Sequence, residues 1–320
     1  MTSYIEWIRG QVGHRKIFLA FASIVLRDAR GRVLLQRRTD FDFWGLPGGV
    51  LELGEDIRSC ARRELFEESG LTAGKLSLAG VYTDPHFATT YPNGDQVQQY
   101  TICFKGQANG GQMQPDGIET SEQHFFELNQ IPALPIPEYY ALMIRDALQS
   151  SAPAFLPPYS VPNPVNQIDD IRPFIGHAPY IGVGATAVTI HEDGRLLMVQ
   201  RTDTNEWVFP GGYMHLGENV AQTAVRETEE ESGLQVIPER ILGIYSPTSL
   251  WTYTGGDQVQ SVVTIFRARA TGGVLRSDHV ETCSTAWMTA EQIFNLQTHP
   301  ILAQLNRAVL AHLDNNYFVI

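Results

Sequence analysis

The sequence has few cysteines, and they follow no pattern. Cys60, Cys103 and Cys283 are the only three in 320 residues, and none belongs to a Cys-x-x-Cys or Cys/His arrangement. A disulfide framework needs paired cysteines and a zinc site needs closely spaced ligands, so we expect neither. Unpatterned thiols are typical of a reducing compartment, which predicts a cytoplasmic protein.

Positive charge and long apolar runs are also scarce. Lys and Arg number 23 against 35 Asp and Glu, which gives a formal net charge of −12. Proteins that hold nucleic acid neutralise its phosphates with a basic surface, so we expect no nucleic-acid partner. No apolar run approaches the roughly 18 residues of a membrane span, so we expect no membrane partner. An acidic protein can still bind a small anionic substrate when a metal ion lies between them.

The chain contains an internal repeat. Residues 8–80 recur at a constant offset of 163, and residues 94–98 recur at an offset of 162 as 256–260. Between the copies, residues 150–166 hold five prolines, which disfavour helices and sheet pairing and favour a stiff, extended linker. We therefore predict a first domain at 1–149, a Pro-rich linker at 150–166 and a second domain at 167–320.

The same order of elements is predicted in each copy. Residues 17–26 and 32–37 are β-rich runs around a turn, and a glycine-rich loop and a helix follow them. Residues 136–148 and 290–313 are predicted to form closing helices that cover the sheet. Strands mixed with flanking helices favour an α/β sandwich.

The helix after the glycine-rich loop has clear ends. Asp56 and Asn219 are residue types that cap helix N-termini. Gly70 and Gly233 stand where a helix C-terminus favours glycine. This places the most acidic stretch of each copy on one helix.

Three glutamates of each copy share one face of that helix. Their spacing is i, i+3 and i+4, as in Glu64, Glu67 and Glu68, and again in Glu227, Glu230 and Glu231. Like charges so placed repel by roughly 0.2–0.5 kcal/mol per pair. A bound cation relieves that repulsion, and carboxylate oxygens suit Mg²⁺ or Mn²⁺ better than zinc. A solvated acidic surface is the alternative, but it leaves unexplained why the glycine pair, the arginine and the triad occur together twice.

Both stretches resemble the Nudix box. Its pattern is Gly, five residues, Glu, seven residues, Arg-Glu, an aliphatic residue, any residue, Glu-Glu, any residue, Gly, aliphatic. The first copy matches from Gly49 to Leu71 and the second from Gly212 to Leu234, except that Thr228 occupies the aliphatic position that Leu65 fills. The resemblance covers nearly all of both domains, and it implies two α/β/α Nudix sandwiches with mixed sheets in tandem.

The resemblance also implies roles, position by position. Metal ligands would be the three glutamates of each triad, with Glu68 and Glu231 central, and the carbonyls of Gly48 and Gly211. Arg63 and Arg226 would orient the catalytic glutamates Glu64, Glu67, Glu227 and Glu230. Glu55 and Glu218 would pair with those arginines from the loop.

The general base has more than one candidate. In Nudix enzymes it is a box glutamate or an acid on a later loop. The later candidates are Glu119 and Glu281, at equivalent places in the two copies, and Glu122, which only the first copy has. A carboxylate that merely caps its loop is the alternative for each.

The implied function is metal-dependent hydrolysis of the diphosphate in a nucleoside diphosphate linked to another group. A binding or sensing module with one or both sites inactive is the alternative, but the box residues are intact. Decapping of RNA is disfavoured because no basic patch is present. The least similar segments, around His86, Phe87 and Tyr91 and around Leu250, Trp251 and Tyr253, are candidates for recognising the base or sugar. The two domains could pair with each other, or the chain could form a homo-oligomer, as separate Nudix chains often pair.

Overall fold

The computed structural model describes residues 2–114, 117, 120–314 and 316–320. The chain divides into two compact units, Met1–Ala154 and Phe155–Ile320. No helix among the described residues has both the length and the apolar character needed to cross a membrane. Cys60, Cys103 and Cys283 are all free thiols, and the first two are buried.

The first unit contains one mixed sheet with helices packed against it. Its elements are α1 (Tyr4–Val12), β1 (Ile17–Arg27), β2 (Val33–Arg38), β3 (Trp44–Gly45), β4 (Gly48–Val50), α2 (Ile57–Ser69), β5 (Leu71–Ala73), β6 (Ser77–Tyr82), β7 (Thr89–Thr90), β8 (Gln96–Gly111), β9 (Thr120–Phe126) and α3 (Glu138–Gln149). The strand order is β6-β8-β1-β2-β3. Strand β1 runs parallel to β8 and antiparallel to β2 and β4. The predicted mixed α/β architecture is therefore confirmed.

The second unit repeats this plan. Its elements, after the short β10 (Ala154–Phe155) at the boundary, are β11 (Ser160–Asn166), α4 (Gln167–Ile175), β12 (Tyr180–Ile190), β13 (Leu196–Arg201), β14 (Trp207–Val208), β15 (Gly211–Tyr213), β16 (His215–Glu218), α5 (Val220–Ser232), β17 (Leu234–Tyr245), β18 (Trp251–Thr252), β19 (Gln258–Gly273), β20 (Thr282–Met288), α6 (Ala290–Phe294), α7 (Pro300–His312) and β21 (Phe318–Val319). The strand order is β14-β13-β12-β19-β17-β21. Strand β12 pairs in parallel with β19, as β1 does with β8.

The acidic helix of each unit has the ends that the sequence predicts. The Asp56 side chain accepts hydrogen bonds from two N–H groups of the first turn of α2, and Asn219 accepts one in α5. Gly70 and Gly233 end the helices in the left-handed region, with φ of 68° and 71°. Only glycine adopts this conformation without steric strain. Both helices pack against the strand that holds the glycine pair.

Two segments differ from the expectation. Residues 290–313 form two helices instead of one, since α6 ends at Phe294 and α7 begins at Pro300. Proline is tolerated in the first turn of a helix but not in its interior, so a single helix could not run through Pro300. Residues 160–166, within the segment assigned to the linker, form β11, which pairs antiparallel with β16. The pairing is interrupted between Ser160 and Val165, and both prolines of β11 lie in this interruption.

Candidate active site

The last glutamate of the first triad is buried against the glycine pair. The N–H of Gly48 donates to Glu68 Oε2 at 2.8 Å, and Gln36 Nε2 donates to Oε1 at 2.7 Å. Glu68 is only 3% exposed. Burial raises the pKa of Glu68 to about 8, and the negative charge of Glu64 acts in the same direction. Burial therefore outweighs the hydrogen bonds from Gly48 and Gln36 and the charge of Arg38, so the ionised form of Glu68 is disfavoured.

The second domain has the same buried carboxylate. The N–H of Gly211 donates to Glu231 Oε2 at 2.9 Å, and Glu231 is 2% exposed. Burial, followed by the charge of Glu227, raises the pKa of Glu231 to about 8. Burial also raises the pKa of Glu227 to about 7, and Glu230 and Glu281 contribute to that rise. Two adjacent carboxylates in this domain therefore favour a nearby cation.

One arginine per domain joins the other carboxylates. Arg63 Nε and Nη2 each donate to Glu55 at 2.9 Å, and Nη1 donates to Glu64 at 2.7 Å and to Glu67 at 3.0 Å. Such forked guanidinium–carboxylate contacts fix orientation as well as charge. The predicted pairing of loop glutamate and arginine is thus present in the first domain.

In the second domain Arg226 makes the equivalent hydrogen bonds. Arg226 Nε and Nη2 donate to Glu218 at 2.7 and 3.1 Å, and Nη1 donates to Glu227 at 2.8 Å and to Glu230 at 2.9 Å. Glu218 is 1% exposed, so its charge is well sheltered from solvent. The two networks have the same donors and acceptors at equivalent positions.

The second glycine of each pair leaves room for a carboxylate. A Cβ atom at Gly49 would overlap the carboxylate of Glu64, and one at Gly212 would overlap that of Glu227. The glycines therefore allow the first triad glutamate to lie directly against the backbone of the loop.

The carboxylates do not form a ready-made cation cage in this arrangement. Across the described ranges, no three His, Cys, Asp or Glu side chains converge closely enough to hold a metal ion. Glu67 and Glu230 are turned toward the arginines and are more than half exposed. Carboxylate and carbonyl oxygens are nevertheless the ligands that a hard divalent ion prefers, so the residue types fit such an ion. The proposed ligands thus surround the site but are held by hydrogen bonds and by arginine.

Two of the three candidate general bases lie among the described residues. Glu281 is exposed, lines the same cavity as Glu227 and Glu230, and lies near enough to Glu231 to raise its pKa. Glu119 lies outside the described residues. Glu122 lies on β9, where it faces Arg37 with Nη1–Oε1 at 3.5 Å.

The second domain has a cavity beside its acidic helix. Its volume is about 650 Å³, and its walls include Arg226, Glu227, Glu230 and Glu281. Of the segment proposed for base or sugar recognition, Trp251 and Tyr253 line the cavity. In the first domain, Phe87 lies 6.0 Å from Tyr139 between ring centroids, Tyr91 lies 5.6 Å from Phe41, and His86 pairs with Asp84 at 2.8 Å.

Sequence reasoning missed two kinds of residue near the buried glutamates. Gln36 directly follows the apolar residues 33–35 of β2 and precedes two arginines, so its sequence context gave no signal of the buried contact that it makes with Glu68. Arg38 and Arg201 stand at equivalent positions in the two copies, and their charge offsets part of the rise in the pKa of Glu68 and Glu231 that burial causes. Each arginine is held by a forked contact to an aspartate two residues later.

Comparison with known proteins agrees with the repeat. The NUDIX domain profile matches residues 18–147 and again residues 181–312. A MutT-like protein of Streptomyces ambofaciens is 31% identical over 115 residues, which are 36% of this chain and 68% of that protein. A putative 8-oxo-dGTP diphosphatase of Bacillus subtilis is 34% identical over 114 residues, covering 36% of this chain and 69% of that protein.

A third relative is an ADP-ribose pyrophosphatase of Methanocaldococcus jannaschii. It is 34% identical over 119 residues, which are 36% of this chain and 65% of that protein. Each of these matches thus spans about one domain of the present chain. Two profile matches, two intact boxes and two equivalent sheets lead to one conclusion: the chain belongs to the Nudix family of pyrophosphohydrolases and carries two Nudix domains in tandem.

Proposed function

We propose that each domain hydrolyses the diphosphate bond of a nucleoside diphosphate linked to another group, with Mg²⁺ or Mn²⁺ as cofactor. The observation that carries this proposal is the duplicated network in which one arginine holds three carboxylates beside a buried fourth. Relatives named for ADP-ribose and 8-oxo-dGTP support a nucleotide substrate.

The proposed ligands are oxygen donors on α2 or α5 and on the adjacent glycine loop. They are Glu64, Glu67, Glu68 and the Gly48 carbonyl in the first domain, and Glu227, Glu230, Glu231 and the Gly211 carbonyl in the second. Glu68 and Glu231 lie against the glycine loop and accept hydrogen bonds from Gly48 and Gly211. A bound cation would favour their ionised form, which burial by itself disfavours. When bound, Mg²⁺ or Mn²⁺ would polarise the diphosphate and lower the pKa of the attacking water.

The protein's own groups orient the site. Arg63 and Arg226 hold the first and second glutamates of their triads, so these carboxylates keep one direction while the substrate enters. Glu55 and Glu218 fix the far side of each guanidinium through two hydrogen bonds. This preorganisation limits the reorganisation needed when charge develops during the reaction.

Proton removal from the water is assigned to a carboxylate. In the second domain Glu281 is the proposed base, because it is exposed to the cavity and faces Glu227 and Glu231. A box glutamate, Glu230 or Glu227, is the alternative there. In the first domain the corresponding candidates are Glu119, Glu64 and Glu67.

Removing the metal tests the proposal. The full chain, stripped with EDTA and dialysed, should hydrolyse no member of a panel of ADP-ribose, nucleotide sugars, nucleoside triphosphates and dinucleoside polyphosphates. Adding Mg²⁺ or Mn²⁺ should restore turnover and release a nucleoside monophosphate from at least one substrate. Undiminished turnover in excess EDTA would contradict the mechanism.

A further inference from the structure

One wall of the cavity in the second domain carries three hydroxyl groups in contact. The Tyr213 hydroxyl lies 3.2 Å from that of Tyr253 and 3.0 Å from Oγ of Ser261. All three residues are partly exposed and line the cavity, whose volume of about 650 Å³ is within the range of small-molecule sites, roughly 300–1,000 Å³. The hydroxyl cluster, as we call these three residues, is therefore part of a space that a ligand can enter.

The alternation of side chains along β19 shows which way the hydroxyl cluster faces. Successive side chains of a strand point to opposite faces of its sheet. Val259, Ser261 and Val263 line the cavity, whereas Gln260 and Val262 between them are fully buried and do not. Ser261 therefore directs its hydroxyl to the cavity side of β19, and the hydroxyl cluster lies on that side.

The second domain makes room for the tyrosine of β15 at a neighbouring strand. A Cβ atom at Gly182 of β12 would lie 2.6 Å from Cε1 of Tyr213, so the ring needs a glycine there. At the offset of 163, Gly182 corresponds to Leu19 and Tyr213 to Val50, and Leu19 is 1% exposed. The fold thus accepts an apolar pair at these two positions. The second domain instead holds a glycine and a tyrosine, which together bring a hydroxyl to the cavity.

The hydroxyl cluster is next to the acidic site. Tyr213 directly follows the glycine pair, and its backbone carbonyl accepts a hydrogen bond from Arg226 Nη2 at 3.0 Å. Arg226, Glu227 and Glu230 line the same cavity as the cluster. A ligand whose diphosphate is bound at the triad can therefore extend the group attached to that diphosphate toward the cluster without leaving the cavity.

The charge of the cavity walls indicates what kind of group this is. The walls hold six acidic side chains and three arginines, and each arginine is paired with a carboxylate. Burial lowers the pKa of His215, the other basic residue of the described walls, so this side chain is mostly neutral at pH 7. A further phosphate would meet net negative charge, with no unpaired cation among these wall residues. A neutral group rich in hydroxyls avoids that repulsion.

We propose that the hydroxyl cluster binds the sugar of a nucleoside diphosphate sugar, and that the second domain prefers such substrates to nucleoside triphosphates. This proposal rests on the function proposed above and names the substrate class of that site. Three hydroxyls carry three donors and two contacts join them, so at least one donor and several lone pairs remain for a ligand. A sugar presents neighbouring hydroxyls that both donate and accept, whereas a phosphate is charged and mainly accepts.

The test compares substrates that share a base, in the full chain. Glu68→Gln silences the first domain, and kcat/KM with Mg²⁺ is then measured for ADP-glucose against ATP and for GDP-glucose against GTP, so that any base preference cancels. We expect the sugar nucleotide to be favoured by about tenfold or more, which corresponds to about 1.4 kcal/mol. Tyr213→Phe keeps the ring and removes the central hydroxyl, so it should abolish this preference through a higher KM for the sugar nucleotide, with kcat little changed. A preference for the triphosphates in the Glu68→Gln chain would overturn the proposal.

A second variant and a control keep the test specific. Ser261→Ala removes another hydroxyl of the cluster and should act in the same direction as Tyr213→Phe. Tyr245 lines the same cavity outside the cluster, so Tyr245→Phe should leave the preference intact. An unchanged preference in the folded Tyr213→Phe and Ser261→Ala variants, or an equal loss in Tyr245→Phe, would overturn the role of the cluster.

A binding measurement separates this proposal from the proposed function. Calorimetric titration with the α,β-methylene analogues of ADP-glucose and ADP, which cannot be hydrolysed at the bridge, reports affinity without turnover. With Mg²⁺ in the Glu68→Gln chain, glucose should raise the affinity of one site by about tenfold, and Tyr213→Phe should remove this gain. Such binding without hydrolysis of any substrate would support the sugar site and contradict the proposed function. Hydrolysis with no gain in affinity from glucose would agree with the proposed function and overturn the sugar site.

Discussion

The loop between the glycine pair and the acidic helix is supported differently in the two domains. In the second domain, residues 215–218 form β16 and pair with β11, and Asn219 Nδ2 donates to the Pro157 carbonyl at 2.6 Å. In the first domain the equivalent residues 52–55 form no strand, and the backbone N–H of Tyr4 donates to Glu52 at 2.7 Å. The same arginine network thus forms on two different supports.

This difference teaches that the geometry of the network is set by its own contacts. Each arginine binds three carboxylates at 2.7–3.1 Å in both domains, whatever covers the loop. What differs between the domains is the burial of the loop glutamate. Glu218 is 1% exposed, whereas the side chain of Glu55 is 16% exposed. We therefore expect the chemistry to be shared and the stability of the two loops to differ.

The largest effect should come from filling the space beside the first triad glutamate. Gly49→Ala and Gly212→Ala place a methyl group where the carboxylate of Glu64 or Glu227 lies. Each should lower kcat/KM of its own domain by about a hundredfold or more, or about 2.7 kcal/mol of barrier. Gly74→Ala and Gly255→Ala are matched controls, since a Cβ there meets no atom closer than 3.7 Å. An effect in only one domain would show that the networks are not equivalent.

The partner of the buried glutamate gives the next largest contrast. Gln36 donates to Glu68, whereas Val199 stands at the equivalent position of the second domain. Gln36→Val should destabilise α2 by about 1–3 kcal/mol, because the buried Glu68 Oε1 is left without its hydrogen-bond donor. Hydrogen exchange of the α2 amides in the metal-free chain measures this loss. Protection of α5 should stay unchanged, and unchanged protection of α2 would contradict the assignment.

A pair of cap variants compares the supports directly. Asp56→Ala and Asn219→Ala each remove an N-cap, which is worth about 1 kcal/mol. Asn219→Ala also removes the hydrogen bonds with Pro157 and Tyr159, so it should lower the hydrogen-exchange protection of β11 as well as that of α5. Asp56→Ala should lower the protection of α2 alone, because the Asp56 side chain bonds to Arg58 and Ser59 of that helix. Unchanged protection of β11 in Asn219→Ala would mean that this contact does not join the segment before α4 to the second loop.

The smallest effect is expected from a repeated His–Asp pair. His14 Nδ1 lies 2.7 Å from Asp95, and His177 Nδ1 lies 2.8 Å from Asp257. Although burial acts to raise it, the pKa of Asp95 is lowered on balance, chiefly by hydrogen bonds from His14 and Asn93. A carboxylate with a lowered folded pKa stabilises the protein above its unfolded pKa and loses that effect as the pH falls.

Asp95→Asn should therefore reduce stability at pH 7 by about 0.5–1 kcal/mol and by less near pH 3. Asp257 is more exposed, 36% against 15% for its side chain, so Asp257→Asn should have a smaller effect. Denaturant midpoints at the two pH values measure both variants. A larger effect of Asp95→Asn at pH 3 than at pH 7 would contradict the sign of this argument.

The sequence predicted what depends on short spacing. The ends of α2 and α5 follow from capping residues within one motif. The mixed α/β fold followed from the order of strand and helix patterns, and the pairing of arginine with the loop glutamate was implied by the resemblance to the Nudix box. It did not predict contacts between distant segments, such as Gln36 with Glu68 or β11 with β16. The prolines of residues 153–164 indicated an extended chain, but no local signal shows which strand such a chain meets.

The central claim is that both domains are catalytic, and single and double variants of the central glutamates test it most directly. Glu68→Gln and Glu231→Gln keep side-chain size while removing one charge from each proposed metal site. Each single variant should keep the other domain's turnover on its preferred substrate, and the double variant should lose all turnover. Circular dichroism and the other domain's activity control for folding. Loss of all turnover in a folded Glu68→Gln variant would contradict the claim and leave the second domain without a catalytic role.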